Sequence, residues 1–171
     1  GGETLVAGAQ PPLIGCFNMN NIKAILTLLC LVYAPSPLLY AADNPGSIQV
    51  IVNSQADVTG MTKKHVMALF LGRSRAFPNG KPAKALDNKV GSAIREQFFE
   101  TLTGKSISDI DAYWARLRYS GRASPPKEID NIAEILTEVS QNISAMAYVS
   151  GQSAEALLEQ GIAVVYTLEE N

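Results

Sequence analysis

Between Gly46 and Asn53 the chain reads Ile48-Gln49-Val50-Ile51-Val52, a run dominated by β-branched residues, and this predicts a buried strand. Thr62 stands as the N-cap of a helix through Leu71, with Val66, Leu69 and Phe70 on one face and Gly72 as its stop. The stretch from Arg73 to Lys81 holds Phe77-Pro78-Asn79-Gly80, whose Asn-Gly step marks a turn, and Ala83 to Asp87 follows as a short strand. A second helix runs from Ser92 to Thr103, with Ile94, Phe98 and Leu102 at i, i+4 and i+8 and Gly104 closing it. Ser108-Asp109-Ile110-Asp111 reads as a capping box for a helix striped by Ile110, Trp114 and Leu117 and ending at Gly121. Beyond Pro125-Pro126, the helical spacing of Ile129, Ile132, Ala133, Leu136 and Val139 predicts a fourth helix. Ala145 to Val149 and Ile162 to Leu168 read as strands, with a helix-compatible stretch, Ser153 to Gln160, between them. Strands separated by helices predict an α/β fold, a single layered domain with a central mixed β-sheet flanked by helices.

Upstream the pattern changes. Met19-Asn20-Asn21-Ile22-Lys23 leads into the apolar run Ala24 to Ala34, interrupted only by Thr27. As a helix that run spans about 16 Å, roughly half a hydrocarbon core, which suits a signal-peptide core and falls short of a membrane span. Pro35 and Pro37 end it, and Ala41 or Ala42 supplies the small residue before a cleavage site. The expected organisation is an upstream extension over 1–18, a signal peptide over 19–42 and the α/β domain over 43–171, with a periplasmic or secreted location. Leu13-Ile14-Gly15-Cys16 has the look of a lipoprotein box, but no basic or strongly apolar segment precedes it. Both cysteines, Cys16 and Cys30, lie upstream of the cut, so the mature chain has neither a disulfide nor a reactive thiol.

Charge and composition then narrow the chemistry. With 14 Lys and Arg against 16 Asp and Glu and a formal net charge of −2, nucleic acid is not an expected partner. A single His and two Cys leave no set of ligands for a zinc site, and no metal or cofactor is expected. At 47% hydrophobic residues and 171 residues in all, there is material for one packed domain.

Several motifs, taken in order, resemble the phosphate ABC transporter substrate-binding proteins. They are Val50-Ile51-Val52-Asn53; Phe70-Leu71-Gly72-Arg73 followed by Phe77-Pro78-Asn79-Gly80; Gly91-Ser92 opening a helix that holds Phe98-Phe99; Tyr113-Trp114; and Ala147-Tyr148-Val149. The resemblance runs from Ile48 to about Ser150. It implies a type 2 periplasmic-binding-protein fold in a short, single-lobe form, an exported location, and phosphate or a similar oxyanion as ligand. It also implies an ABC transporter or envelope protein as partner. The chain departs from the family at Ser92-Ala93-Ile94, where the family has Ser-Gly-Thr, and at Phe77 and Ala147, where it tends to have Trp and Gly. The matching part resembles the second lobe, and the first lobe's phosphate-contacting loops have no counterpart.

The residues themselves offer an anion site at Gly91-Ser92. A helix start presents free N–H groups and the positive end of its dipole, Ser92 adds a hydroxyl, and Arg95 stands one turn in. The plainer reading makes Ser92 an N-cap and Arg95 a solvated surface residue. Ser54 and Ser150 also follow predicted strands, and the three hydroxyls would converge on one oxyanion if all three strand ends lay together. Arg116, Arg118 and Arg122 gather at a helix C-terminus, where cations complement the dipole, or else form a patch for an anion or acidic partner. Trp114 reads as a core anchor, His65 as a surface residue with no nucleophile or orienting group beside it, and Glu96, Glu100, Asp109 and Asp111 as solvated faces and a cap. No catalytic residue is expected. The reading is an exported, non-enzymatic phosphate- or oxyanion-binding protein, without a membrane span after signal cleavage, in which homo-oligomers could close the ligand site. The alternative is an envelope accessory or protein-interaction module that keeps the lobe fold without binding phosphate.

Overall fold

The computed structural model describes residues 46–169, so the extension and signal-peptide readings fall outside the described residues. In chain order the elements are β1 (Ile48–Asn53), a 3-10 turn (Ser54–Ala56), α1 (Lys63–Phe70), β2 (Lys84–Asn88), α2 (Ala93–Thr103), α3 (Ile107–Tyr119), β3 (Lys127–Ile129), α4 (Ile132–Gln141), β4 (Ala145–Ser150), α5 (Ala154–Glu159) and β5 (Ile162–Leu168). The five strands form one mixed sheet in the order β3-β2-β4-β1-β5. β2 runs parallel to β3 and β4, and β1 runs antiparallel to both of its neighbours, β4 and β5.

All six residues of β1 are buried because the strand is central and the sheet is covered on both faces. On one face Ile48, Val50 and Val52 meet α1, α2 and α3 through Phe70, Phe98, Phe99, Ile110 and Trp114. On the other face Ile51, Leu86, Ala147 and Val149 pack against Ile135 and Val139 of α4 and Leu157 of α5. Tyr148 of β4 anchors the first face. Its ring stacks on Phe98 with centroids 3.7 Å apart, and Phe70 meets both rings edge-on. Asn53 ties the second layer to β1, its side-chain amide donating to the carbonyls of Val139 and Ser140 at the end of α4. Gly72, at φ +67°, lets the chain leave α1 against Trp114; a Cβ there would stand 2.8 Å from the indole Cη2.

Two element readings need correction. The N-cap of α3 is Ser106 rather than Ser108: the Ser106 hydroxyl accepts from Asp109 N–H and donates to the Asp109 carboxylate. Both serines have an Asp three residues on, and the earlier start wins because it brings Ile107 onto the apolar stripe of Ile110, Trp114 and Leu117. Ile129 is not helical but ends the edge strand β3, buried beside Leu86. Pro125 and Pro126 favour extended backbone, and the helix waits for Asn131, whose side chain caps it through Glu134 N–H.

Candidate functional site

The helix that follows β2 begins unlike the others. Thr62, Ser106, Asn131 and Ser153 each accept a hydrogen bond from the third residue beyond them, which closes the first turn of their helices. Ser92, N-cap of α2, makes no such bond, and its hydroxyl is buried with no partner among the described residues. Gly91, at φ +81°, turns the chain into this start, while the backbone N–H groups of Ala93 and Ile94 find no acceptor among the described residues. The positive end of the α2 dipole, two free N–H groups and an unsatisfied hydroxyl therefore share one place.

One turn into the same helix, Arg95 centres a partly buried ionic network. Arg95 is 4% exposed; its Nε donates to Asp87 Oδ2 at 3.0 Å and its Nη2 to Asp111 Oδ1 at 2.8 Å. Tyr148 donates its hydroxyl to Asp87 Oδ1, and Asn88 N–H donates to the same oxygen at 2.9 Å. Burial pushes the Asp87 carboxyl above its ordinary value, even though hydrogen bonds from Tyr148 and Arg95 and the Arg95 charge pull the other way. Burial also opposes the charge on Arg95, but the hydrogen bonds and charges of Asp111 and Asp87 outweigh it and hold the guanidinium more firmly protonated. The Tyr148 phenol is raised by burial and by the neighbouring Asp87 charge, so it stays a proton donor. Arg95 is thus a buried linker of β2, α2 and α3 rather than a solvated surface residue. Only its Nη1 is without a partner among the described residues.

The sheet separates the other predicted hydroxyls. Ser150 ends β4, and because β4 is parallel to β2 it shares the sheet end from which Gly91-Ser92 follows. Ser54 follows β1, whose antiparallel course carries it to the opposite end, beside the first residues of β4 and β5, with its N–H donating to Gly161 O at 2.9 Å. The three hydroxyls do not converge, since one of the three strands points the other way. Arg116 and Arg118 sit exposed in the last turn of α3, with Arg122 exposed beyond it. Trp114 is a core residue at 3% exposure, and His65 is exposed on α1. Asp109 serves the α3 cap and Asp111 serves Arg95, so neither belongs to a carboxylate pair. Among the described residues no group of three His, Cys, Asp or Glu could hold a metal. Sequence reasoning missed Asp87 and Tyr148. An acid directly after the apolar pair Ala85-Leu86 of a short strand, eight residues before an arginine on a helix, was the available signal for the first.

Solved structures share this arrangement of elements. A protein assigned as a phosphate ABC transporter substrate-binding protein from Clostridium perfringens, solved with bound phosphate, aligns at 16% identity and a TM-score of 0.52, covering 70% of this chain and 44% of its own. An ABC-type phosphate transport receptor from Vibrio cholerae aligns at 13% identity and 0.51, covering 70% and 45%, and PstS from Borrelia burgdorferi at 11% and 0.54, covering 70% and 46%. At these identities the likeness is one of fold: the α/β domain with its mixed sheet is similar to one part of these receptors, and the chain spans less than half the length of each. No protein-family model matches the chain, and no curated protein matches it. Among the described residues no helix is long and apolar enough to cross a membrane.

Proposed function

We propose that this chain is an extracytoplasmic, non-enzymatic oxyanion-binding lobe of the phosphate-receptor type, holding its anion at the start of α2. The observation that carries the reading is the Ser92 hydroxyl, an N-cap side chain that makes no cap bond and lies buried without a partner among the described residues. A buried hydroxyl left unpaired costs about 1–3 kcal/mol, and an oxyanion at this helix start would give it an acceptor while meeting the N–H groups of Ala93 and Ile94. Gly91 permits the turn, Ser150 stands at the same sheet end, and Ser54 has no part in the site. Arg95 supports the site from the same helix turn, positioned by Asp87 and Asp111, with Nη1 as its one nitrogen without a partner among the described residues.

One lobe encloses little of a ligand, whereas effective pockets enclose most of it. The anion is therefore closed over by a second copy of this chain or by another protein, an ABC transporter or envelope component on the present reading. Isothermal titration of inorganic phosphate, and separately sulfate, into the full chain tests this. Saturable binding weakened at least tenfold by Ser92→Ala is expected, with the stoichiometry reporting whether two lobes share one anion. A folded protein that gives no heat at millimolar phosphate or sulfate overturns it. The second reading, a protein-interaction module without an anion, is favoured by the two carboxylates already bound to Arg95, which leave the site little net positive charge. Under that reading phosphate leaves the melting temperature unchanged.

A further inference from the structure

Lys84 and Lys127 open the parallel strands β2 and β3 at the sheet end opposite Ser92, and together with Arg75 they line an open cleft of about 390 Å³. No carboxylate lines this cleft, although acids outnumber bases in the chain, and none of the three cations has an ionic partner among the described residues. Like charges facing one cavity repel each other and hold an attractive field for an anion. The rest of the wall mixes Ser74 and Ser124 with the half-buried Pro125 and Pro126 and the buried Leu69 and Trp114. The buried indole N–H of Trp114 lacks an acceptor among the described residues. A cavity of this size, with apolar surface beside its cations, exceeds what an inorganic oxyanion needs and suits charged groups carried on an organic chain. Lys127 also begins the edge strand, and the outer backbone groups of β3 make no ladder bonds among the described residues.

We propose that this cleft docks an acidic, extended peptide segment of a partner protein. Carboxylates of the segment meet Arg75, Lys84 and Lys127, its apolar side chains lie against Trp114 and the two prolines, and its backbone runs beside β3. The binding is separate from the oxyanion reading, because it uses the other end of the sheet and none of the residues around Ser92.

Trp114 is the only tryptophan of the chain, so its fluorescence reports on this wall. The full chain is titrated with a short blocked peptide of alternating glutamate and leucine, with a lysine–leucine peptide, inorganic phosphate and citrate as comparison arms. The expected result is a saturable change with the acidic peptide alone. Its affinity falls with added salt and drops about tenfold in the combined variant Arg75→Gln, Lys84→Gln, Lys127→Gln, the sum of three exposed ion pairs. All three side chains are exposed, so circular dichroism of that variant matches the wild type, and Ser92→Ala titrates as the wild type does. The proposal is overturned by no saturable change at millimolar acidic peptide, by equal affinity in the charge variant, or by equal response to the lysine peptide. Saturation of the same signal by phosphate or citrate at equal affinity likewise overturns it in favour of a small free anion.

Discussion

Arg95 on α2 and Lys84 at the start of β2 belong to opposite ends of the sheet, and the same sign of charge has opposite consequences at each. Arg95, in the first turn of α2, is 4% exposed, with Asp87 and Asp111 on two of its nitrogens and the centre of the Phe99 ring 5.4 Å from its guanidinium carbon. Lys84 lies open at the start of β2 beside Lys127, with no acid in the cleft wall. A buried cation must be paired, and once paired its donors hold the fold together; an exposed cation costs the fold little and keeps its charge for a partner. The arginine one turn into the candidate oxyanion helix is therefore held by its two carboxylates and is not free to move toward a ligand. Among the described residues Arg75, Lys84 and Lys127 have no ionic partner, at a place where the sequence offered no motif.

Substitution tests that comparison most strongly at Arg95. Arg95→Ala leaves Asp87 buried without its charged partner, and a loss of about 3–5 kcal/mol is expected in urea unfolding. Lys84→Ala should change stability by less than about 0.5 kcal/mol. Equal effects would mean that the two cations are not in different environments. The contrast also governs how anion binding is tested, since lost phosphate binding in an Arg95 variant would report unfolding as readily as a lost contact. Ser92→Ala is the cleaner probe.

The next effect concerns the acid that Arg95 serves. Because burial raises the Asp87 carboxyl above its ordinary value, between the two values the native state holds a proton that the unfolded chain has already released. The associated stability is complete below the ordinary carboxylate value of 3.8 and is lost as pH rises through the raised one. Tyr148→Phe removes one of the hydrogen bonds that pull Asp87 down, so it should widen that window upward. It should also cost about 1–3 kcal/mol at neutral pH through an under-satisfied carboxylate. Urea midpoints followed from acid to neutral pH, with Asp87→Asn as the non-titrating reference, measure both. A Tyr148→Phe profile parallel to the wild type would place the phenol outside the network.

Much of the architecture was readable because it rests on local patterns. The β-branched run at Ile48, the stripe of Ile94, Phe98 and Leu102, and the glycines at 72, 104 and 121, all at positive φ, mark elements whose positions the structure reproduces within a residue or two. Ile129 misled because an apolar residue in helical register with Ile132 and Leu136 is equally at home in an edge strand, and only the sheet partner Asn88 decides between the two. Ser106 and Ser108 offered overlapping caps that only packing of Ile107 separates. The site was less readable for a geometric reason. Whether Ser54 joins Ser92 and Ser150 depends on strand direction, and nothing in the sequence around Ile48 shows that β1 runs against its neighbours. The pairing of Arg95 with Asp87 and Asp111 likewise joins residues from three elements, so no single window of the chain contains it.

The smallest effect sharpens the comparison at its most informative point, between two serines that open neighbouring helices. Ser106 holds Asp109 N–H and the Asp109 carboxylate, so Ser106→Ala should cost about 1 kcal/mol. Ser92 makes neither bond and carries a buried hydroxyl without a partner among the described residues, so Ser92→Ala should be neutral within a few tenths of a kcal/mol, or stabilising. Thermal melts of the two variants, followed by circular dichroism without added anion, give the difference directly. If Ser92→Ala costs as much as Ser106→Ala, the Ser92 hydroxyl closes the first turn of α2 in solution, and the donor on which the oxyanion reading rests is already in use. If it costs nothing without anion but removes the stabilisation that phosphate gives the wild type, the hydroxyl acts on the ligand and not on the helix.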